Sequence, residues 1–405
     1  MKSPAIQSHF IASKLLAAVI ITNFITLFIT SLASVKVSLT PIIYLTSFVS
    51  TSVFIFGFSF KRPRTSAPIL SYFFVGVMLL LLTLPRLTYM TDFITDNSVL
   101  VISDDYARMA ELVSMVESDV YPLKHPANQN YLLSFYYSSL FPMSVMKQIF
   151  KFLSLKNVIF LGNLIYHLLA LLSLLELSTL VFKSKRGISF FMFCMTFFGG
   201  FDWLAVETPA ELIGHCEWWQ NRFNGNTQIS SFYSGMYWSV HHYIGFIAII
   251  LAYFFFSYTT KRHRYAKPFV FCVLMAAGFY SSPFVFFPVI LFIIPHYKTV
   301  YRRIVRTVPF LVVFVSCLVP LPVFLGKLPG QTFTVATFRL GFHTSLWIDK
   351  LVSLPVYFLL VPVVELAGIP LLLLASWKRL GLLQRQYLVA AWMFFASTYV
   401  IAYSG

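Results

Sequence analysis

The sequence predicts an all-α, polytopic integral membrane protein of about eleven transmembrane helices, with one further helix lying at the outer interface. Three observations lead there. Hydrophobic residues make up 58% of the 405, charged residues only 11%, and the mean hydropathy is +0.78. A soluble domain carries about 25% charged residues, so a water-facing surface around one core is excluded. The 45 Phe, 22 Tyr and 7 Trp exclude a disordered chain, which cannot keep such side chains solvated. Finally, apolar runs of roughly the 20 residues needed to cross a bilayer recur along the chain.

The runs fall at roughly 10–33, 38–60, 66–86, 157–182, 188–206, 237–258, 267–281, 283–297, 307–325, 349–376 and 387–403. The first is too long for the core of a cleavable signal, and more spans follow it. The pair at 267–297 reads as a tight hairpin split at Ser281-Ser282-Pro283, because the residue before a proline disfavours helix. The stretch 131–152 is broken by Pro142, Lys147 and Lys151. It reads as an amphipathic helix resting on the outer interface.

Five basic clusters set the orientation. They are Lys61-Arg62-Pro63-Arg64, Lys183-Ser184-Lys185-Arg186, Lys261-Arg262-His263-Arg264 with Lys267, Lys298 with Arg302, Arg303 and Arg306, and Lys378-Arg379 with Arg385. One orientation puts all five, and the N-terminus, in the cytoplasm of a bacterial inner membrane. It requires that 131–152 does not cross. The net charge of +16 then reflects this loop bias and implies membrane lipids, not nucleic acid, as partners. Four Cys lie far apart with no CxxC, which speaks against a disulfide framework or a cysteine zinc site. The chain 1–405 reads as a single transmembrane domain with outer loops at 87–156, 207–236 and 326–348. Its stop at Gly405, just after an apolar run, reads as a truncation or as an end outside the cell.

The acids gather where the basic residues do not. Asp92, Asp96, Asp104, Asp105, Glu111, Glu117 and Asp119 belong to the first outer loop; Asp202, Glu207, Glu211 and Glu217 lie in or at the mouth of the second. The orientation rule says little about acids, so chemistry at the outer face is the natural cause. In Ser103-Asp104-Asp105-Tyr106-Ala107-Arg108-Met109-Ala110-Glu111, a helix of about four turns places Asp105, Arg108 and Glu111 on one face. Adjacent carboxylates there suit a general base or a hard divalent cation. Ordinary helix capping is the plainer alternative.

The second loop adds Gly199-Gly200-Phe201-Asp202-Trp203 and Gly214-His215-Cys216-Glu217-Trp218-Trp219. An acid such as Asp202 near a span end is costly unless used. His215 and Glu217 suit a metal or a phosphate-linked group. Trp218 and Trp219 suit sugar stacking or an interface belt. Asn226 and Trp238 precede His241 and His242, which open the next span. The two His point to different helix faces, so they do not read as ligands of one ion; hydrogen-bonded packing is the alternative. Arg339 with His343 marks the third loop. Glu365, between Pro362 and Pro370, and Glu176 are acids inside spans, read either as functional or as interhelical hydrogen bonds.

The run Asp104-Asp105-Tyr106-x-Arg108 after a span, the aromatic stretch Tyr131 to Pro142, then Gly-Phe-Asp-Trp, His-Cys-Glu-Trp-Trp, Asn-Thr-Gln and Trp-Ser-Val-His-His together resemble a family of bacterial multi-pass membrane proteins. Its layout is similar to the GT-C superfamily of membrane glycosyltransferases. The motifs cover roughly 100–300. The resemblance implies a polyprenyl-phosphate-linked sugar as donor and an envelope glycan or lipid as acceptor. It also implies Asp104 or Asp105 as the catalytic base. Arg108, Arg222, Arg339, His215 and His241 become candidates for the donor phosphate, and a divalent cation is an open possibility. Three spans precede the loop where that superfamily has one, so 66–86 would take the place of its first helix. The competing expectation is a transporter or flippase of a lipid-linked glycan, which would use Glu365 and the proline-broken helices.

Overall fold

The computed structural model describes residues 10–92, 103–125, 128–132, 137–197, 240–260 and 266–282, with short stretches between 315 and 403. These are mostly helical. In chain order the helices are α1 (Ile11–Leu32), α2 (Thr40–Phe56), α3 (Ile69–Asp92), α4 (Ser103–Glu117), α5 (Phe141–Ile149), α6 (Leu155–Val181), α7 (Lys185–Phe197), α8 (Val240–Tyr258) and α9 (Ala266–Ser281). Two short antiparallel pairs join β1 (Lys124–His125) to β2 (Asn128–Leu132), and β3 (Phe338–Leu340) to β4 (Ile401–Tyr403).

Among the described residues, four apolar stretches are long enough to cross a membrane: Ile11–Leu32, Val37–Phe56, Leu155–Val181 and Val240–Tyr258. They coincide with expected spans. Ile69–Thr83 and Ala266–Ser281 are shorter apolar helices. α3 continues through Pro85 to Asp92, beyond the expected end at 86. α9 stops at Ser281, as expected from Pro283. The expected spans 283–297 and 349–376, and most of 307–325, lie outside the described residues. The expected helix 387–403 needs correction at its end: Ile401–Tyr403 is extended and pairs with Phe338–Leu340.

A second correction concerns 131–152, which is not one interface helix. Asn128–Leu132 is a strand, Tyr137–Leu140 a 3-10 turn, and only Phe141–Ile149 is α-helical. Pro142 explains the late start, since proline is tolerated in a first helical turn and not inside a helix. Nine residues reach about 14 Å, less than half of a ~30 Å hydrocarbon core.

The chain forms two compact units. The second holds Cys194–Gly235, Phe287–Thr299 and Thr332–Gly405. Within it, besides the β3–β4 pair, Arg385 stacks on Trp377 at 5.5 Å. The first holds Met1–Phe193, Met236–Phe286 and Val300–Gln331, with α1 at its centre, packed against α2, α6, α8 and α9. Leu16, Ala17, Ala18, Ile20 and Leu27 of α1 are buried. α2 instead exposes Ile42, Val49 and Val53, the pattern of a lipid-facing helix. α8 and α9 meet backbone to backbone. A Cβ on Gly245 would lie 3.1 Å from the Gly278 carbonyl, and one on Gly278 would lie 3.2 Å from the Gly245 carbonyl. Small residues permit such close packing in membranes.

Polar side chains fasten this core. Glu176 of α6 accepts from Ala12 N at 3.0 Å, Ser13 N at 2.8 Å and Ser13 Oγ at 2.7 Å. The residue before α1, Phe10, sits at φ 74 and offers no side-chain cap. Glu176 therefore caps α1 from another helix, satisfying amides that a helix start leaves open. This is the interhelical hydrogen bond expected as the plainer role of Glu176. Asn23 Nδ2 donates to Tyr166 Oη at 2.8 Å, Tyr44 Oη to Asn23 Oδ1 at 3.1 Å, and Tyr166 Oη to the Ser139 carbonyl at 3.1 Å. That network ties α1, α2, α6 and the 3-10 turn together.

The two ends of the unit are closed differently. At one end Lys61 N donates to the Tyr258 carbonyl at 2.8 Å and Arg64 N to the Thr179 carbonyl at 2.9 Å. Lys61, Lys267 and Lys14 side chains donate to carbonyls of Ser257, Thr259 and Phe56. These carbonyls lie at or next to the C-termini of α8 and α2, where cations complement the helix dipole. At the other end Val37 N donates to the Asp119 carbonyl at 2.9 Å, and Tyr121 N to that of Val35 at 2.8 Å. Tyr121 is buried under Thr40, and burial pushes its hydroxyl up to about 12, so it stays neutral.

Candidate functional site

The site is assembled where α4 meets the start of α8, at the end of the first unit away from Lys61–Arg64 and Lys183–Arg186. α4 runs for fifteen residues from Ser103, so Asp104 and Asp105 occupy its first turn. Arg108 and Glu111 follow one and two turns later. Arg108 Nη1 contacts Glu111 Oε2 at 2.5 Å, and the two side chains are only 13% and 15% exposed. Water screens such a pair poorly, and a charge held there keeps most of its field. Arg108 Nη2 lies 2.8 Å from His241 Nδ1. Guanidinium only donates, so Nδ1 accepts and the ring proton sits on Nε2.

Three successive residues of α8 reach three elements. His241 meets Arg108 of α4. His242 Nδ1 lies 2.7 Å from Ser282 Oγ, just past α9. Tyr243 packs on His167 of α6, ring centroids 5.4 Å apart. The His241 and His242 rings are 4.1 Å apart, yet their Nδ1 atoms serve different partners. They thus act as separate hydrogen-bonding groups. Among the described residues, no cluster of three His, Cys, Asp or Glu is placed to hold a metal ion. Cys194, Cys272 and Cys317 are free thiols.

Of the expected site residues, the fold brings Arg108, Glu111 and His241 together and places His242 beside them. Asp104 and Asp105 are placed by the backbone of α4, one turn away. Arg339 lies on β3 of the second unit. Asp202, His215, Glu217, Trp218, Trp219, Arg222, Asn226 and Trp238 lie outside the described residues, as does Glu365. Ser282, His167 and Tyr243 were not expected. Ser282 could be read only as a helix end before Pro283. His167 was the one available signal, a lone imidazole inside an apolar span.

A guanidinium held on two sides is oriented before any ligand arrives. That arrangement suits planar recognition of phosphate or carboxylate oxygens. No family model, curated protein or solved structure matches the chain.

Proposed function

We propose that this chain is a GT-C-type glycosyltransferase of a bacterial inner membrane, with about eleven spans and a cytoplasmic N-terminus. It moves a sugar from a polyprenyl-phosphate donor to an envelope glycan or lipid on the outer face. The observation that carries this reading is the Arg108–Glu111–His241 cluster, one helical turn from Asp104 and Asp105 and at the end of the first unit opposite Lys61–Arg64 and Lys183–Arg186. That end is the outer one if basic loops stay inside.

The chemistry is a single displacement at the anomeric carbon. The acceptor oxygen forms the new bond as the bond to the phosphate oxygen breaks. Asp105 or Asp104 takes the acceptor proton. Arg108, held by Glu111 and His241, neutralises the departing phosphate. Asp105 is favoured because it shares a helix face with Arg108 and Glu111.

The test replaces each aspartate with Asn, singly and together, at matched membrane abundance. Asn keeps the volume and suits a helix start, but it cannot take a proton at neutral pH. General-base catalysis predicts a rate loss on the order of 10²–10⁴ in transfer of labelled sugar to envelope material. Full activity in the double variant would refute the assignment.

A further inference from the structure

Three lysines, Lys147, Lys151 and Lys156, occupy ten residues at the end of the first unit where acids otherwise collect. The orientation bias does not place them there, and the proposed chemistry does not use them. The turn that carries them is firmly built. Phe150 N donates to the Met146 carbonyl at 2.8 Å and Leu153 N to that of Phe150 at 3.0 Å. Lys147 Nζ folds back onto the carbonyls of Lys151 at 2.9 Å and Leu153 at 2.6 Å. Ser154 Oγ then accepts from Asn157 N at 3.2 Å and caps α6. The result holds Ile149, Phe150 and Phe152 outward, 49%, 46% and 83% exposed, with the two rings in contact at 6.0 Å. Lys151 beside them is exposed, and Lys156 on the next turn is half-buried.

α6 has 27 residues, about 40 Å, whereas a hydrocarbon core is about 30 Å thick. That length leaves about 10 Å beyond the core, enough for its first turn to reach the headgroup layer. Aromatic rings flanked by lysines are the chemistry of that layer, with rings in the acyl boundary and ammonium groups on phosphates. We propose that the turn Ile149–Lys156 is a docking site for anionic phospholipid of the outer leaflet, with Phe150 and Phe152 wedged among the acyl chains and Lys151 and Lys156 on the headgroup phosphate. The site does not use the glycosyl-transfer chemistry; its place in the outer leaflet rests on the orientation proposed above.

Two measurements test it. A nitroxide at Phe152→Cys, with the wild-type protein labelled as the blank, is examined in bilayers by power saturation. Contact with oxygen in preference to a water-soluble nickel chelate is expected; the reverse preference overturns the wedge. The protein in nanodiscs of phosphatidylcholine and phosphatidylglycerol is then examined by native mass spectrometry. Retention of phosphatidylglycerol should fall about fivefold for each of Lys151→Gln and Lys156→Gln at low salt. Unchanged retention overturns the headgroup contact. So does preferential retention of an added polyprenyl phosphate, which would make the turn part of a donor site.

Discussion

The two ends of the α1-centred unit use charge differently. At the basic end, Lys61, Lys267 and Lys14 are spent on helix-terminal carbonyls, and Glu176 is spent on the amides that start α1. Each of these groups completes a helix terminus. At the opposite end, Arg108 bonds to Glu111 and across to His241, and neither contact closes a helix. A buried charge that completes secondary structure explains its own presence. One that organises other side chains is a candidate for ligand binding.

Breaking the second end should show the largest effect. Arg108→Gln removes the cation proposed to face the departing phosphate, so the transfer rate per folded molecule should fall on the order of 10²–10³, beyond the stability lost by leaving Glu111 without its cation. A large loss of stability with normal activity per folded molecule would put Arg108 in the same class as Glu176. Glu176→Gln should behave the opposite way. It keeps one acceptor but loses the charge-assisted bonds, at about 2 kcal/mol, read as a lowered midpoint and lower abundance in membranes. Activity per folded molecule should stay unchanged. Tyr166→Phe is the smallest of the three, because it removes hydroxyl contacts to Asn23 and Ser139 worth about 0.6–1.7 kcal/mol in a membrane core. It sharpens the contrast by showing what a purely structural hydrogen bond contributes.

What could be read from the sequence follows the range of each interaction. α1, α2, α6 and α8 were legible because an apolar run of sufficient length is a local signal. So was the Arg108–Glu111 pair, three residues apart on one turn. The break at Ser282 was legible from Pro283 alone. Other features depend on distant partners. Glu176 caps amides 163 and 164 residues away, and His242 finds Ser282 forty residues on. No periodicity announces such contacts. The stretch 131–152 misled because its aromatic composition fits strand as well as helix, and Pro142 sets where the helix begins rather than interrupting it. The end at 401–403 misled because an apolar triplet is equally at home in a strand that pairs with 338–340.

The proposed opposition of the two ends across the membrane is tested most directly by labelling with an impermeant thiol reagent in intact cells, over the background of the native cysteines. Ser118→Cys, just beyond α4, should label from outside, and Ser184→Cys, between α6 and α7, should label only after the membrane is opened. Labelling of Ser184→Cys from outside would put the basic end on the outer face, turn the Arg108 cluster toward the cytoplasm, and contradict the assignment of outer-face chemistry to it.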